Sequence, residues 1–285
     1  MRPNLPWWAR IGAKCLLSRV PVNYSFWQHL KLFRHGAMDR AGYACDVFEQ
    51  HFARSGLSRG QAFVGLELGP GDSLASAVIA PAFGATHTWL VDVGPFAAPE
   101  PGVYAGVADE LSRRGLTPPP IAGARDLAQL LAACHATYGT NGIASLRAIP
   151  TASVDFIWSH AVLEHVRRAQ FVDYMRETRR VLKPTGIASH EVDLRDHLGG
   201  ALNNLRIPSR TWEAEWMARS GFYTNRLSRD EVIEAMRAAG LALDIVHEQR
   251  WDVLPTPTRK FAAEFRSGDP RARLVSVFGV LARPA

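Results

Sequence analysis

The stretch QAFVGLELGPGDSL, residues 61–74, runs from an apolar segment straight into a tight glycine turn. An apolar run of that length, closed by glycine and proline, predicts a buried strand over residues 62–68. Gly69 and Gly71 let the backbone turn sharply and approach a ligand closely. A second apolar segment, 74–80, follows and is expected to end at Pro81. Strand, glycine turn and helix form the opening unit of an α/β sheet, which binds ligands beyond the carboxyl ends of its strands.

The rest of the chain repeats that alternation. Residues 87–93 (HTWLVDV), 154–159 (VDFIWS), 187–192, 241–247 and 273–281 read as further strands. Leu127, Leu130, Leu131, Cys134 and Tyr138 recur at helical spacing, with Asp126 as N-cap and Gly139 beyond the end. Phe171, Tyr174, Met175, Thr178, Val181 and Leu182 form another helical face, stopped at Pro184 and Gly186. Ser228 with Glu231 three residues on is a capping box for a helix that ends at Gly240. Residues 97–123, rich in proline and glycine, are expected to be an irregular insertion. The predicted organisation is a helical extension over 1–60, an α/β domain with a mostly parallel sheet over 61–285, and an inserted lid or substrate region at 195–227.

Composition narrows the partners. With 285 residues, 47% of them apolar, the chain can bury a full core. Its net charge of +6 is spread thinly, with no basic run beyond pairs such as Arg167-Arg168 and Arg179-Arg180. That pattern argues against nucleic acid. Three cysteines, Cys15, Cys45 and Cys134, are too few and too scattered for a disulfide framework or a zinc site, and they suit a reducing cytoplasm. No segment reaches the roughly 18 apolar residues that a membrane span needs. Residues 5–20 interleave tryptophan with arginine and lysine, which fits either an amphipathic helix packed on the domain or peripheral contact with a membrane surface.

The glycine turn itself selects among nucleotides. A dinucleotide fingerprint would place a third glycine at position 74, but Leu74 stands there. Asp72 lies in the turn and Glu67 at the strand end, so two carboxylates repel a pyrophosphate and suit a cation. Asp92 follows 21 residues after Gly71, where an acid can accept ribose hydroxyls. A ligand with a sulfonium, an ammonium and a ribose meets all three conditions, and S-adenosylmethionine is such a ligand.

Three later motifs carry a resemblance: Ile149-Pro150-Thr151-Ala152-Ser153-Val154-Asp155, Leu163-Glu164-His165 and Arg180-Val181-Leu182-Lys183-Pro184-Thr185-Gly186. With the glycine turn, they make residues 61–193 similar to the class I S-adenosylmethionine-dependent methyltransferases of the type 11-like group. The resemblance implies a Rossmann-like three-layer α/β/α sandwich around a seven-stranded sheet, with the last strand antiparallel. It implies that Glu67, Gly69, Pro70 and Gly71 meet the methionine part of the cofactor. Asp92 and Val93 would meet the ribose side, and the loop holding Gly142 and Ile143 the adenine, with Ser159 at the end of the fourth strand. Asn141-Gly142-Ile143-Ala144-Ser145 lacks the acid common in that loop, and Thr185 replaces a glycine.

Methyl transfer is a direct displacement, so alignment supplies much of the rate, and a hydroxyl acceptor also needs a base. Candidate catalytic groups are His160, His165, His190 and Asp193. His190, Asp193 and His197 can also be read as metal ligands, but no fourth ligand is placed near them, and no metal is expected. Asn203, Asn204, Arg206, Trp212, Trp216, Phe222, Tyr223 and Asn225 crowd the inserted region. They suggest a sugar or glycan acceptor, against the alternative of a segment that only packs on the domain. The expected function is transfer of a methyl group to a small-molecule or glycan acceptor, most simply to oxygen. A nicotinamide-dependent oxidoreductase and a non-catalytic methyltransferase-like binding protein stand as alternatives.

Overall fold

The computed structural model describes residues 38–267 and 269–285. Cys15 and the aromatic–basic stretch 5–20 lie outside the described residues.

The first described helix, α1 (Ala41–Ser55), turns Ala44, Cys45, Val47, Phe48, His51 and Phe52 inward and ends at Gly56 in the left-handed region. Strand β1 (Phe63–Leu68) follows and feeds the glycine turn, then α2 (Ala75–Phe83) and β2 (Ala85–Val91). Pro81 lies inside α2 rather than ending it. The hydrogen bond it removes falls in the last turns, and the helix closes at Gly84, whose N–H reaches the carbonyls of Ala80 and Pro81.

Residues 97–123 are not wholly irregular. They contain α3 (Ala105–Arg113), which packs on α1 and α2 through Val107 and Leu111. The next helix, α4 (Leu127–Ala133), has Asp126 as its N-cap, accepting the Gln129 N–H at 2.8 Å. It stops five residues short of the expected end. His135 takes φ = 49°, and Ala136–Gly139 form β3, paired with β2 from Thr88 to Val91. Tyr138 kept the helical spacing by coincidence; an Ala-Thr-Tyr run beside an open strand edge forms a ladder instead.

Then come α5 (Ile143–Arg147), β4 (Val154–His160), α6 (Phe171–Val181) and β5 (Leu182–Asp193). Strand β5 begins earlier than expected because Leu182 pairs with Val154 before the register shifts to Phe156 and Ile187. Lys183, in the extra residues, bonds both Asp155 oxygens at 2.8 Å, and Asp155 also accepts the Val64 N–H at 2.8 Å. The Lys-Pro motif thereby clamps β1, β4 and β5 at their starts.

Two short helices, α7 (Ser209–Trp212) and α8 (Glu215–Ala218), lie within the 195–227 region. They precede α9 (Arg229–Ala238), which has both halves of its capping box. Strands β6 (Leu241–Arg250) and β7 (Val275–Pro284) finish the chain.

The sheet order is β3-β2-β1-β4-β5-β7-β6, with β7 antiparallel to both neighbours. This is the expected Rossmann-like three-layer sandwich. The hairpin-like insertion of β7 between β5 and β6 departs from the 3-2-1-4-5-6 order of dinucleotide folds. One core lies under α1–α4, where Phe48, Phe52, Phe63, Phe83, Phe156 and Trp158 interlock; the other lies under α6 and α9.

Candidate functional site

The carboxyl ends of β1, β2 and β4 converge on the glycine turn. Gly69 and Gly71 take φ of 69° and 66°, conformations that a side chain resists. A Cβ on Gly69 would lie 2.5 Å from Val162, just past β4, so the turn is held close by the next strand's loop. Gly69 N–H also donates to the Val91 carbonyl at 2.8 Å.

Asp92 ties the turn to the second strand. Its Oδ2 accepts the Gly71 N–H at 2.9 Å and its Oδ1 accepts the Val93 N–H at 2.7 Å. Its backbone reaches the other way: Asp92 N–H donates to Gly139, and the Asp92 carbonyl accepts from Gly142, each at 2.8 Å. Glycine turn, Asp92 and the loop after β3 are therefore one connected rim. Val93 stands 75% exposed on it, and a Cβ on Gly142 would come within 3.3 Å of Val93. Pro70 is buried and Ile143 half-buried.

Glu67 is buried beneath this rim, and its Oε2 lacks a hydrogen-bond partner among the described residues. Burial pushes its pKa up to about 8, and Ser76 and Trp158 offset this only in part. The expectation of a standing negative charge at Glu67 is thus modified: near neutrality, burial favours its neutral acid form.

The expected catalytic residues separate into three environments. His160, at the end of β4, is half-buried and lies nearest the turn in sequence and strand order. Its Nε2 is 3.3 Å from the Tyr43 hydroxyl and its Nδ1 is 3.4 Å from Nε2 of His51. His51 is fully buried, and its Nδ1 lies 2.8 Å from Ser189 Oγ. Burial lowers the pKa of His160, and lowers that of His51 well below the ordinary value, so both rings are neutral at pH 7. Beside them Glu191 meets His247 at 2.9 Å and Arg54 at 3.4 Å.

His190 and Ser159 form a second environment inside the sheet. Both are fully buried and face each other across β4 and β5, with Ser159 Oγ 2.8 Å from His190 Nδ1. Burial takes the His190 pKa down to about 4. The third environment holds His165, whose ring stacks on His197 at 4.9 Å and whose Nδ1 lies 2.8 Å from the Tyr223 carbonyl. Asp193 is taken by Arg195 through two side-chain bonds of 2.9 and 2.7 Å. His190, Asp193 and His197 therefore do not assemble as a ligand set. Among the described residues, no group of three or more histidine, cysteine or carboxylate side chains is placed to hold a metal ion.

The inserted region packs rather than displays its aromatics. Trp212, Phe222 and Tyr223 form a small core with Leu198 and Met217, and Asn203, Asn204 and Asn225 are buried in hydrogen bonds or helical turns. Of the aromatic rings expected to form a platform, Trp216 alone is exposed, at 49%. Arg226, also buried, gathers the segment: it donates to the Ile207 carbonyl at 2.7 Å and Ser209 Oγ at 2.9 Å, over the Trp212 and Phe265 rings.

Sequence reading missed His51, Ser189, Glu191 and His247. His51 carried one usable signal, since Tyr43, Val47 and His51 fall at i, i+4 and i+8 and share a helix face.

The fold and rim define a Rossmann-like domain whose β1 glycine turn is braced by an acid closing β2. Residues 116–189, about a quarter of the chain, match the family model described as a methyltransferase domain. Together with the sheet order and glycine turn, that match is consistent with a class I S-adenosylmethionine-dependent methyltransferase, whose cofactor is S-adenosylmethionine. No curated protein matches the chain. Among solved structures, the mitomycin 7-O-methyltransferase MmcR is 15% identical over 99% of this chain and 69% of its own, with a TM-score of 0.46. The CurJ carbon methyltransferase is 14% identical over 90% and 57%, with a TM-score of 0.45. A phosphoethanolamine N-methyltransferase of Haemonchus contortus, solved with phosphomonomethylethanolamine and S-adenosylhomocysteine, is 13% identical over 84% and 53%, with a TM-score of 0.44. Among the described residues, no helix is long and apolar enough to cross a membrane.

Proposed function

We propose that this protein transfers a methyl group from S-adenosylmethionine to the hydroxyl of a small molecule, sugars included, with His160 as the base. The observation that carries this reading is a neutral, half-buried imidazole at the end of β4, next to the loop that packs on Gly69. A neutral imidazole can take the proton that an attacking hydroxyl must lose.

The residues present fit the cofactor. Gly69 admits no Cβ and so brings the turn close against Val162, and Asp92 braces that turn with two backbone bonds at the end of β2, where the ribose would lie. Val93 offers an exposed apolar surface beside Gly142 and Ile143 for the adenine. Glu67, buried below the turn with an unpartnered oxygen, would ionise beneath a bound cation, whose charge offsets the burial that keeps it neutral. When bound, S-adenosylmethionine supplies a methyl group on a sulfonium, poised for displacement. The chain's own part is to align acceptor and methyl, keep water from the buried floor, and receive the acceptor's proton at His160. Glycan recognition through an aromatic platform gains no support from the buried rings of the inserted region, which favours a compact acceptor.

Calorimetry with S-adenosylhomocysteine and with NADH tests the cofactor, and incubation of hydroxyl-bearing metabolite fractions with methyl-labelled cofactor tests the transfer. Uptake of NADH with no response to S-adenosylhomocysteine would sink the reading.

A further inference from the structure

The proposed base is the second member of a chain of four polar side chains: Tyr43, His160, His51 and Ser189, linked at 3.3, 3.4 and 2.8 Å. Its inner half is unexpected. His51 lies on the apolar face of α1, among Phe48 and Phe52, where an aliphatic side chain would pack without a desolvation penalty. An imidazole in that place demands partners for both nitrogens, and the structure supplies one on β5 and one on β4.

A neutral imidazole has one N–H and one lone pair, so the chain can run in only two directions. In the first, Ser189 donates to His51, His51 to His160, and His160 to Tyr43; Nε2 of His160 then carries the proton and has no lone pair to offer. In the second, Tyr43 donates to Nε2 of His160, Nδ1–H of His160 donates to Nε2 of His51, and Nδ1–H of His51 donates to Ser189. Only the second leaves a lone pair on Nε2 of His160, where the bond from the Tyr43 hydroxyl is the one an incoming hydroxyl would replace. It also survives proton uptake: once His160 is charged, His51 still accepts from Nδ1–H, a charge-assisted bond stronger than the neutral one.

We infer that His51 is a positioning residue, which holds His160 in the tautomer whose lone pair lies on Nε2, the nitrogen that meets the Tyr43 hydroxyl. This rests on the proposed methyltransferase reading for its purpose, though not for its test. Other groups packed around the pair are Arg54 on α1, Glu191 and Asp193 on β5, His190 across the sheet and His247 on β6. Glu191 and Asp193 raise the His160 pKa and Arg54 lowers it, and none of the three takes a hydrogen bond from the His160 ring; His51 and Tyr43 hold its two nitrogens.

Nitrogen-15 NMR of the histidine rings in the full chain reads the tautomer directly. Wild-type His160 should give one protonated Nδ1 and one bare Nε2 signal at pH 7.5 or so. In His51→Phe, which fills the volume but accepts no bond, the two signals should converge toward a mixture dominated by Nε2–H, the form free imidazoles prefer. Ser189→Ala, a smaller change at the far end, should shift them the same way and keeps the test valid should His51→Phe fail to fold. His160 already in the Nε2–H form in the wild type, or unchanged in a folded variant, overturns the inference. Calorimetry with S-adenosylhomocysteine on the same samples separates this result from the cofactor reading, since loosening His160 leaves the Asp92 rim intact.

Discussion

Asp92 accepts the backbone N–H of Gly71 at 2.9 Å, so the acid ending the second strand braces the glycine turn that ends the first. One carboxylate both shapes the cradle and faces it. Replacing Asp92 with alanine removes the acceptor of two backbone N–H groups together with the partner expected for the ribose. Hydrogen bonds to a charged group contribute about 1.5–3 kcal/mol, so affinity for S-adenosylhomocysteine should fall about 10- to 150-fold by calorimetry. Unchanged affinity would remove Asp92 from the site.

Gly69→Ala tests the cradle from the other strand. Its Cβ would lie 2.5 Å from Val162 in a backbone held at φ = 69°. Strain of this kind costs about 1–3 kcal/mol, so denaturant melts should show that loss together with weakened cofactor binding. Paired with Val162→Ala, part of the stability should return, because the colliding methyl groups are gone.

Glu67 gives a pH signature. Its folded pKa is raised to about 8 from an ordinary 4.5, so the folded state binds the proton more tightly than the unfolded chain. Stability should therefore fall as pH rises from about 5 to 8, by at most about 1.4 kcal/mol per unit for this one group. In Glu67→Gln the slope should flatten over that window, and the variant should gain on the wild type as pH rises. A parallel pair of stability–pH curves would refute the buried acid.

Arg226 should govern the inserted segment without touching the cofactor rim. Arg226→Met keeps the stem over Trp212 and Phe265 but deletes the bonds to Ile207 and Ser209. Amide exchange in residues 203–226 should quicken about 10-fold or more, while S-adenosylhomocysteine affinity stays within about twofold.

Asp155 and Lys183 bond across the starts of β4 and β5, and Asp155 also holds Val64 N–H on β1. Asp155→Ala orphans a backbone donor and an ammonium together, and should cost about 2–4 kcal/mol in urea melts with little change at the site.

The strand–glycine–helix rhythm was legible because period and punctuation are local properties. Phe63–Leu68, the turn after it, Asp126 as a cap and the Ser228–Glu231 box all appear in the structure where the residues put them. Strand β3 was not legible. Four residues at a sheet edge carry too little pattern, and only pairing with Thr88–Val91 distinguishes them from a continued helix. The site divides in the same way. Gly69, Gly71 and Asp92 declare themselves by spacing. The partners of His160 do not, since Tyr43 and His51 lie 117 and 109 positions away and meet it only once α1 has docked on the sheet.

That docking has a practical corollary for dissecting the protein. A fragment begun at the first strand, where the recognisable motifs start, would strip the cover from Phe63, Phe83, Phe156 and Trp158. It would also sever the imidazole at the end of β4 from both of its ring partners. Shortening the chain to its most familiar portion should yield an insoluble and silent product, and the missing piece would be the helix that no motif had marked.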